Sequence, residues 1–362
     1  MMADLYPLLI RPRYVERIWG GDALAVTLGK PAPRGARIGE SWEIYEENTV
    51  ANGVYAGKTI GELRGLLGQR LMGHVPAAAP FPLLTKLIDA RETLSVQVHP
   101  DDRFAAQLEQ QQYGKTECWY VIAATPGAAL TYGFARDSTP DAYAALVAAG
   151  KLDGLLRPLP VTAGAVVYIP AGTVHAIGAG ILLYELQQTS DITYRIYDWG
   201  RTDAQGQARA LHVDKARQVL DYHRWTRGAI APLATPDNRT MLIAGPYFTE
   251  ESVDQAGARL STYESPVALC ALEHALSVSL AGGGAAVVVP PYAAALIPAA
   301  AGSYTIRAQL GDAAPARALV SYVPVSPAAT RDDLLKRGAA PAAVDPFLAQ
   351  FAPAQDLGQG VA

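Results

Sequence analysis

The run Gly164-Ala-Val-Val-Tyr-Ile-Pro170-Ala-Gly172-Thr-Val-His175 constrains this chain more than any other stretch. Ala165 to Ile169 is short, apolar and rich in β-branched residues; Pro170 and Gly172 end it and turn the backbone; His175 then opens the next apolar run. A strand, a tight turn and a second strand that begins on an imidazole fix that side chain rigidly. A lone histidine in an apolar run is ordinarily a satisfied core residue, but the turn in front of this one favours a metal ligand.

Partners for such a ligand lie upstream. In Leu94-Ser-Val-Gln97-Val-His99-Pro-Asp-Asp102, strand alternation puts Gln97 and His99 on one face, Pro100 stops the strand, and Asp101 can cap a helix opening in Asp102-Arg-Phe-Ala-Ala. About a dozen residues later, Lys115-Thr-Glu117-Cys-Trp119 reads as a strand with Lys115, Glu117 and Trp119 on one side. Taken alone, Glu117 could be a solvated strand charge. Together, His99, Glu117, His175 and the Gln97 amide oxygen make a nitrogen and oxygen set that suits one divalent ion per chain, zinc foremost.

Around these segments the strand candidates are short, with turn residues between, which predicts a mainly β fold of barrel or sandwich type with small helical insertions. Thr59-Ile-Gly-Glu62 is a capping-box pattern opening a helix with Leu63, Leu66 and Leu67 on one side and an end near Gly73. Pro140 to Ala149 and His212 to Tyr222 read as further helices. From Ile181 to Tyr197, an extended chain would line Glu185, Gln187, Thr189, Asp191, Thr193 and Arg195 along one polar face, with a possible bulge at Thr189-Ser190.

A chain of 362 residues has room for two modules. Arg227 to Asn238 reads as a linker, which divides the chain into residues 1–232, carrying the ligands, residues 233–328, β-patterned with His274 as its single histidine, and an Ala/Pro-rich tail at 329–362 with a helix at Arg331 to Arg337. A net charge of -4 without a basic cluster argues against a nucleic-acid partner. No stretch approaches a membrane span, and two cysteines far apart suit a reducing compartment, so the expected location is the cytoplasm.

The spacing G-x5-P-x-G-x2-H is similar to the second motif of the cupin barrels. Five fragments in order, "LTKLIDA", "LSVQVHPDD", "GKTECWY", "IPAGTVHAIGAGI" and "QQTSDITYRIYDWGR", resemble the type I mannose-6-phosphate isomerases in their short bacterial form, over roughly residues 10 to 225. The resemblance implies two cupin-like (jelly-roll) β-barrels, the second without metal ligands. It implies zinc on His99, Glu117 and His175, with Gln97 as a fourth ligand. It also implies a sugar-phosphate substrate: mannose 6-phosphate and fructose 6-phosphate would interconvert through an enediol, with Lys115, Asp191 and Arg195 as catalytic candidates. Lys86, Ser95 and Trp19 are candidate substrate contacts. Tyr45 departs from the family, where a serine is common after Trp-Glu-Ile.

Two other readings stand beside this one: a cupin that binds a sugar or sugar phosphate without turning it over, and an iron-dependent cupin oxygenase. Against the oxygenase, Gln97 occupies the place of the first histidine of the usual His-x-His, and a helix separates Glu117 from it.

Overall fold

The computed structural model describes residues 5–33, 35–202, 206–255, 257–309 and 316–352. Among these the fold is mainly β, organised as four antiparallel sheets of seven, six, five and four strands. Two of them carry the residues singled out above. The six-stranded sheet runs Arg13–Gly21, Ile38–Ile44, Leu83–Ala90, Ile181–Gln188, Glu117–Ala124, Val166–Ile169; the five-stranded sheet runs Tyr194–Tyr197, Val96–Val98, His175–Ala176, Ala129–Phe134, Leu156–Pro160.

The central strands Leu83–Ala90 and Ile181–Gln188 are buried at every position. Their outward side chains, Leu83, Leu87, Tyr184 and Leu186, join a large core shared with Met241 and Leu319 of the seven-stranded sheet and with Phe248. Their inward side chains include Lys86 and Glu185, cross-strand neighbours in register, with Trp119 opposite Glu185 on the other side. A strand covered on both faces normally reads as uniformly apolar, so charged residues on the inner side mark a cavity rather than packing.

Strands between Leu233 and Tyr322 form the seven- and four-stranded sheets, which enclose a separate apolar cluster around Val253, Leu276 and Tyr304. Leu8–Leu9 adds to this seven-stranded sheet, pairing with Leu296 and Ala295. Within the expected linker, Leu233–Thr235 forms that sheet's edge strand.

The helices follow their caps. Thr59 and Glu62 complete the capping box through bonds of 3.0 and 2.7 Å. The helix Ile60–Leu67 buries Ile60, Leu63 and Leu67, but Leu66 is 60% exposed because it lies outside that stripe. Gly68, at φ +54°, ends it, and a separate turn Gln69–Met72 reaches Gly73. Asp101 caps Asp102–Glu109, Thr139 caps Pro140–Ala148, and the helix expected from His212 to Tyr222 is the shorter Val213–Val219.

The carboxy-terminal tail is more ordered than its composition suggests. Ser326 caps Pro327–Lys336, a second helix follows at Pro341–Ala349, and Phe347 and Phe351 are buried in the shared core, Phe351 edge-on to Tyr168 at 5.4 Å. Residues 353–362 lie outside the described residues.

Candidate metal centre and adjoining pocket

His175 sits where its turn delivers it, between Gln97 and Tyr132 on the two flanking strands. Gly172 adopts φ +86°, and a Cβ there would come within 3.0 Å of the Val219 carbonyl, so the turn needs glycine for both conformation and space. The Gly172 N–H donates to the His99 carbonyl at 2.9 Å, joining the two histidine segments through the backbone.

Each imidazole is oriented from behind. Nδ1 of His99 lies 2.8 Å from the Ile192 carbonyl and Nδ1 of His175 lies 2.9 Å from the Thr173 carbonyl. A carbonyl only accepts, so both Nδ1 atoms carry the proton and both Nε2 atoms present lone pairs forward. Between them stands Glu117, with Oε2 at 3.5 Å from His99 Nε2 and Oε1 at 3.4 Å from His175 Nε2. All three side chains are buried, and their ligand atoms lie within 4.8 Å of one another.

This cluster fits a divalent ion. A tetrahedral ion with bonds of about 2.0–2.1 Å needs ligand atoms about 3.3–3.5 Å apart, the spacing found between the carboxylate and the two imidazoles. Neither Glu117 oxygen receives an aligned hydrogen bond, although both are buried. Two imidazole lone pairs and a buried carboxylate that converge on one point, with the Lys115 ammonium and the Gln97 amide beside them, form a donor set natural for a cation site. Burial lowers His175 to about 4 and holds His99 well below the usual imidazole range, so both are neutral and ready to ligate at neutral pH.

Lys115 is the nearest positive charge. Its Nζ lies 2.8 Å from Glu117 Oε2 and 3.2 Å from His99 Nε2. Burial opposes its charge, but Glu117 and Glu185 outweigh that and raise it above the ordinary lysine value. Gln97 reaches the cluster with its nitrogen forward: Nε2 donates to His175 Nε2 at 3.3 Å, while Oε1 accepts from Ser95 Oγ at 3.5 Å. Rotation of the amide would exchange the two atoms.

Gln97 and Lys115 also line a cavity of about 460 Å³ above the cluster, and so do Trp19, Lys86, Ser95, Asp191 and Arg195. Trp19 is 3% exposed and packs with Ile88 and Trp119, so it serves the core as well as the cavity wall. Glu185 faces the same space. Its Oε2 lies 3.1 Å from Lys86 and its Oε1 accepts from Trp119 Nε1 at 3.2 Å; burial raises its pKa, but Lys86 and Lys115 outweigh burial and hold it at about 2.

The extended polar row from Glu185 to Arg195 is interrupted. Glu185 belongs to the six-stranded sheet and Arg195 to the five-stranded one, and residues 189–193 cross between them. Gln187 is not at the cavity: its Nε2 donates to the Ser190 and Gln188 carbonyls and fastens the crossing. Thr189 lines a second cavity, of about 490 Å³, together with Tyr45, while Asp191 and Thr193 line both.

A family model for the catalytic domain of type I phosphomannose isomerases matches residues 8–126. Over 248 residues the chain is 42% identical to the mannose-6-phosphate isomerase of Streptococcus mutans, an alignment that covers 67% of this chain and 77% of the relative. Over 280 residues it is 40% identical to a mannose-6-phosphate isomerase of Bacillus subtilis, covering 74% and 85%. The chain belongs to the type I phosphomannose isomerase family.

The crystal structure of the B. subtilis mannose 6-phosphate isomerase matches with a TM-score of 0.78 at 31% identity, covering 87% of this chain and 99% of that one. Within this phosphomannose isomerase fold, the sequence did not single out Arg17, Glu40 or Arg209 at the pocket, and it marked Glu185 only as one member of the polar row. For Glu185 the signal was a charge following the apolar run at residues 181–184 in a central strand. For Arg209 none did, because it lies in an irregular segment whose return to the site depends on tertiary structure. Among the described residues no helix is long and apolar enough to cross a membrane.

Proposed function

We propose that this chain is a zinc-dependent isomerase that interconverts mannose 6-phosphate and fructose 6-phosphate, with His99, Glu117 and His175 holding one zinc ion and Gln97 supplying a fourth ligand through its oxygen. The observation that carries the reading is the buried His-Glu-His cluster under a pocket with cationic walls. Two imidazole nitrogens and carboxylate oxygen favour zinc over a hard all-oxygen ion. The relatives named above supply the substrate.

Aldose to ketose conversion removes a proton from C2, returns one to C1, and passes through an enediol. A bound divalent ion would polarise or hold the oxygens at those two carbons. Lys115 is the candidate proton carrier. Burial alone would lower its pKa, and Glu117 is the foremost support that holds it up. When the Glu117 lone pairs are committed to a metal that support weakens, and Lys115 moves towards the range in which an amine can take a proton. Asp191 is the second acid-base candidate. Arg195 is too basic to act as a free base and meets negative charge on the enediolate or the phosphate. Lys86, Ser95 and Trp19 complete the sugar contacts.

We infer that residues 1–232 form the catalytic unit, 233–328 a partner unit and 329–362 an accessory tail. Each pair of sheets around its own apolar cluster supports a jelly-roll barrel in each unit. A sugar-phosphate substrate and two buried free thiols fit a cytoplasmic location.

A coupled assay with mannose 6-phosphate, with metal analysis of the same sample, tests the reading. Turnover with about one zinc per chain is the expected result. Metal-replete protein that binds mannose 6-phosphate without isomerising it would instead make this a sugar-phosphate-binding cupin.

A further inference from the structure

The strand that feeds the His175 turn has an open edge. Val166–Ile169 is the last strand of the six-stranded sheet and, among the described residues, pairs on one side only, with residues 117–120, where Ile169 stands opposite Glu117. On its other side the backbone carbonyls point away from the sheet and need donors from elsewhere. Val166 accepts from the Ile230 N–H at 2.8 Å, and Tyr168 accepts from the Tyr132 hydroxyl at 2.5 Å. Tyr132 stands opposite His175 in the five-stranded sheet, so this one hydroxyl ties the strand beside His175 to the strand beside Glu117. The ring of Trp225 lies edge-on to Tyr132 at 5.3 Å. A strap of irregular chain, residues 225–231, thus closes the open edge.

The carboxy-terminal tail fastens that strap. Gln350 meets the Ala231 backbone with both ends of its amide: Oε1 accepts from the N–H at 3.0 Å and Nε2 donates to the carbonyl at 3.3 Å. Arg227, 5.4 Å over the Trp225 ring, donates to the Gln350 and Ala352 carbonyls at 3.1 and 2.8 Å, where the last tail helix ends. Arg337, just past the first tail helix, donates to Thr235 Oγ1 at 2.8 Å and holds the chain beyond the strap. Phe351 meets the same edge strand through the Tyr168 ring. Covering apolar surface needs only apolar side chains; bonds from Gln350 and Arg227 to named backbone groups also fix where the strap lies. We infer that the end of the tail is a clasp for the metal centre: Gln350, Arg227 and Phe351 are positioning residues that hold Val166–Ile169 in place and through it set the spacing of His175 and Glu117. The inference rests on the metal-site reading above.

The test measures Zn2+ affinity of the full-length protein by competition with a chromophoric chelator, with urea denaturation of the metal-free samples alongside. Gln350 is half-buried, so Gln350→Ala removes two hydrogen bonds without opening the core. It is expected to weaken Zn2+ binding by about 10-fold, as is Arg227→Met, the lower end of the range for groups that orient ligands without touching the ion. Phe351→Ala should weaken it further, and Phe351→Leu should restore most of that loss. Leu334, buried in the first tail helix within the same core, supplies the reference. Leu334→Ala should lower the urea midpoint by more than Gln350→Ala does, yet keep Zn2+ affinity within about twofold, as independent sites do. Wild-type affinity in both Gln350→Ala and Arg227→Met overturns the inference. So does a loss in Leu334→Ala as large as that in Gln350→Ala, which would trace the effect to general loosening; both outcomes leave the metal site itself standing. A wild-type protein that binds no Zn2+ would remove the metal-site reading and the clasp together.

Discussion

At the scale of single residues, the clustering of His99, Glu117 and His175 was legible because each member is fixed by its own few neighbours: a proline and glycine before His175, a proline after His99, and strand alternation at Glu117. Rotation of a side-chain amide is not written in such patterns, so the nitrogen-forward Gln97 is a property of the folded site. Glu185 was visible only as one of six alternating polar residues, and its pairing with Lys86 emerges from cross-strand register. The ligand assignment predicts that His175→Ala lowers metal content from about one ion per chain to near zero by elemental analysis. Equal content in variant and wild type would remove His175 from the site. Lys115 separates binding from chemistry. Lys115→Met should keep the bound metal and lower kcat by about 10² to 10⁴, the usual yield of a positioned acid-base group; a variant with wild-type kcat would return that role to Asp191.

At the scale of elements, the helices were readable from their caps, since Thr59 with Glu62, Asp101 and Thr139 are local signals. Strands were found, but their assignment to sheets was not. The chain from Ile181 to Tyr197 looks continuous in sequence because apolar and polar residues alternate throughout, yet residues 189–193 carry it from one sheet to another. Alternation reports which side a residue faces within a strand and is blind to a change of sheet. The turn at Gly172 is the opposite case, a local signal with a structural consequence. Gly172→Ala forces an L-residue to φ +86° and brings a methyl group to 3.0 Å from the Val219 carbonyl. A cost of about 1–2 kcal/mol is expected from the conformation alone. Because the same turn donates to the His99 carbonyl, affinity for a divalent metal should fall with it, as competition with a chromophoric chelator would measure. Reduced stability with unaltered affinity would show that the turn does not position the ligands.

At the scale of the molecule, both halves and the tail share one core, which composition could not reveal because alanine and proline dominate the tail. Phe347→Ala should cost about 3–5 kcal/mol in chemical denaturation, as large-to-small changes in a buried site do; a loss below about 1 kcal/mol would mean that the last helix only rests on the surface. Adjacent residues show how differently this interface treats charge. Glu251 meets Arg337 of the tail at 2.9 Å and Arg239 at 3.4 Å, whereas Glu250 meets only Cys118 and Ser321, at 3.6 and 3.4 Å, and has no ion pair among the described residues. Burial therefore raises Glu250 to about 8, and it is largely protonated in the folded protein at neutral pH. In the unfolded chain the same group titrates near its ordinary value of 4.5. Between those values the folded state holds a proton that the unfolded state has released, so its contribution to stability is complete below the unfolded pKa and is lost as pH rises through the folded one. The slope is about 1.4 kcal/mol per pH unit within that window. Glu250→Gln keeps the shape and cannot titrate, so the stability of wild type relative to this variant should increase on going from pH 8 to pH 5.5. Urea midpoints of the two proteins at both pH values measure that difference, and other titrating groups cancel between them. A difference that stays constant with pH would show that Glu250 is ionised in the fold and that a cation or water compensates it.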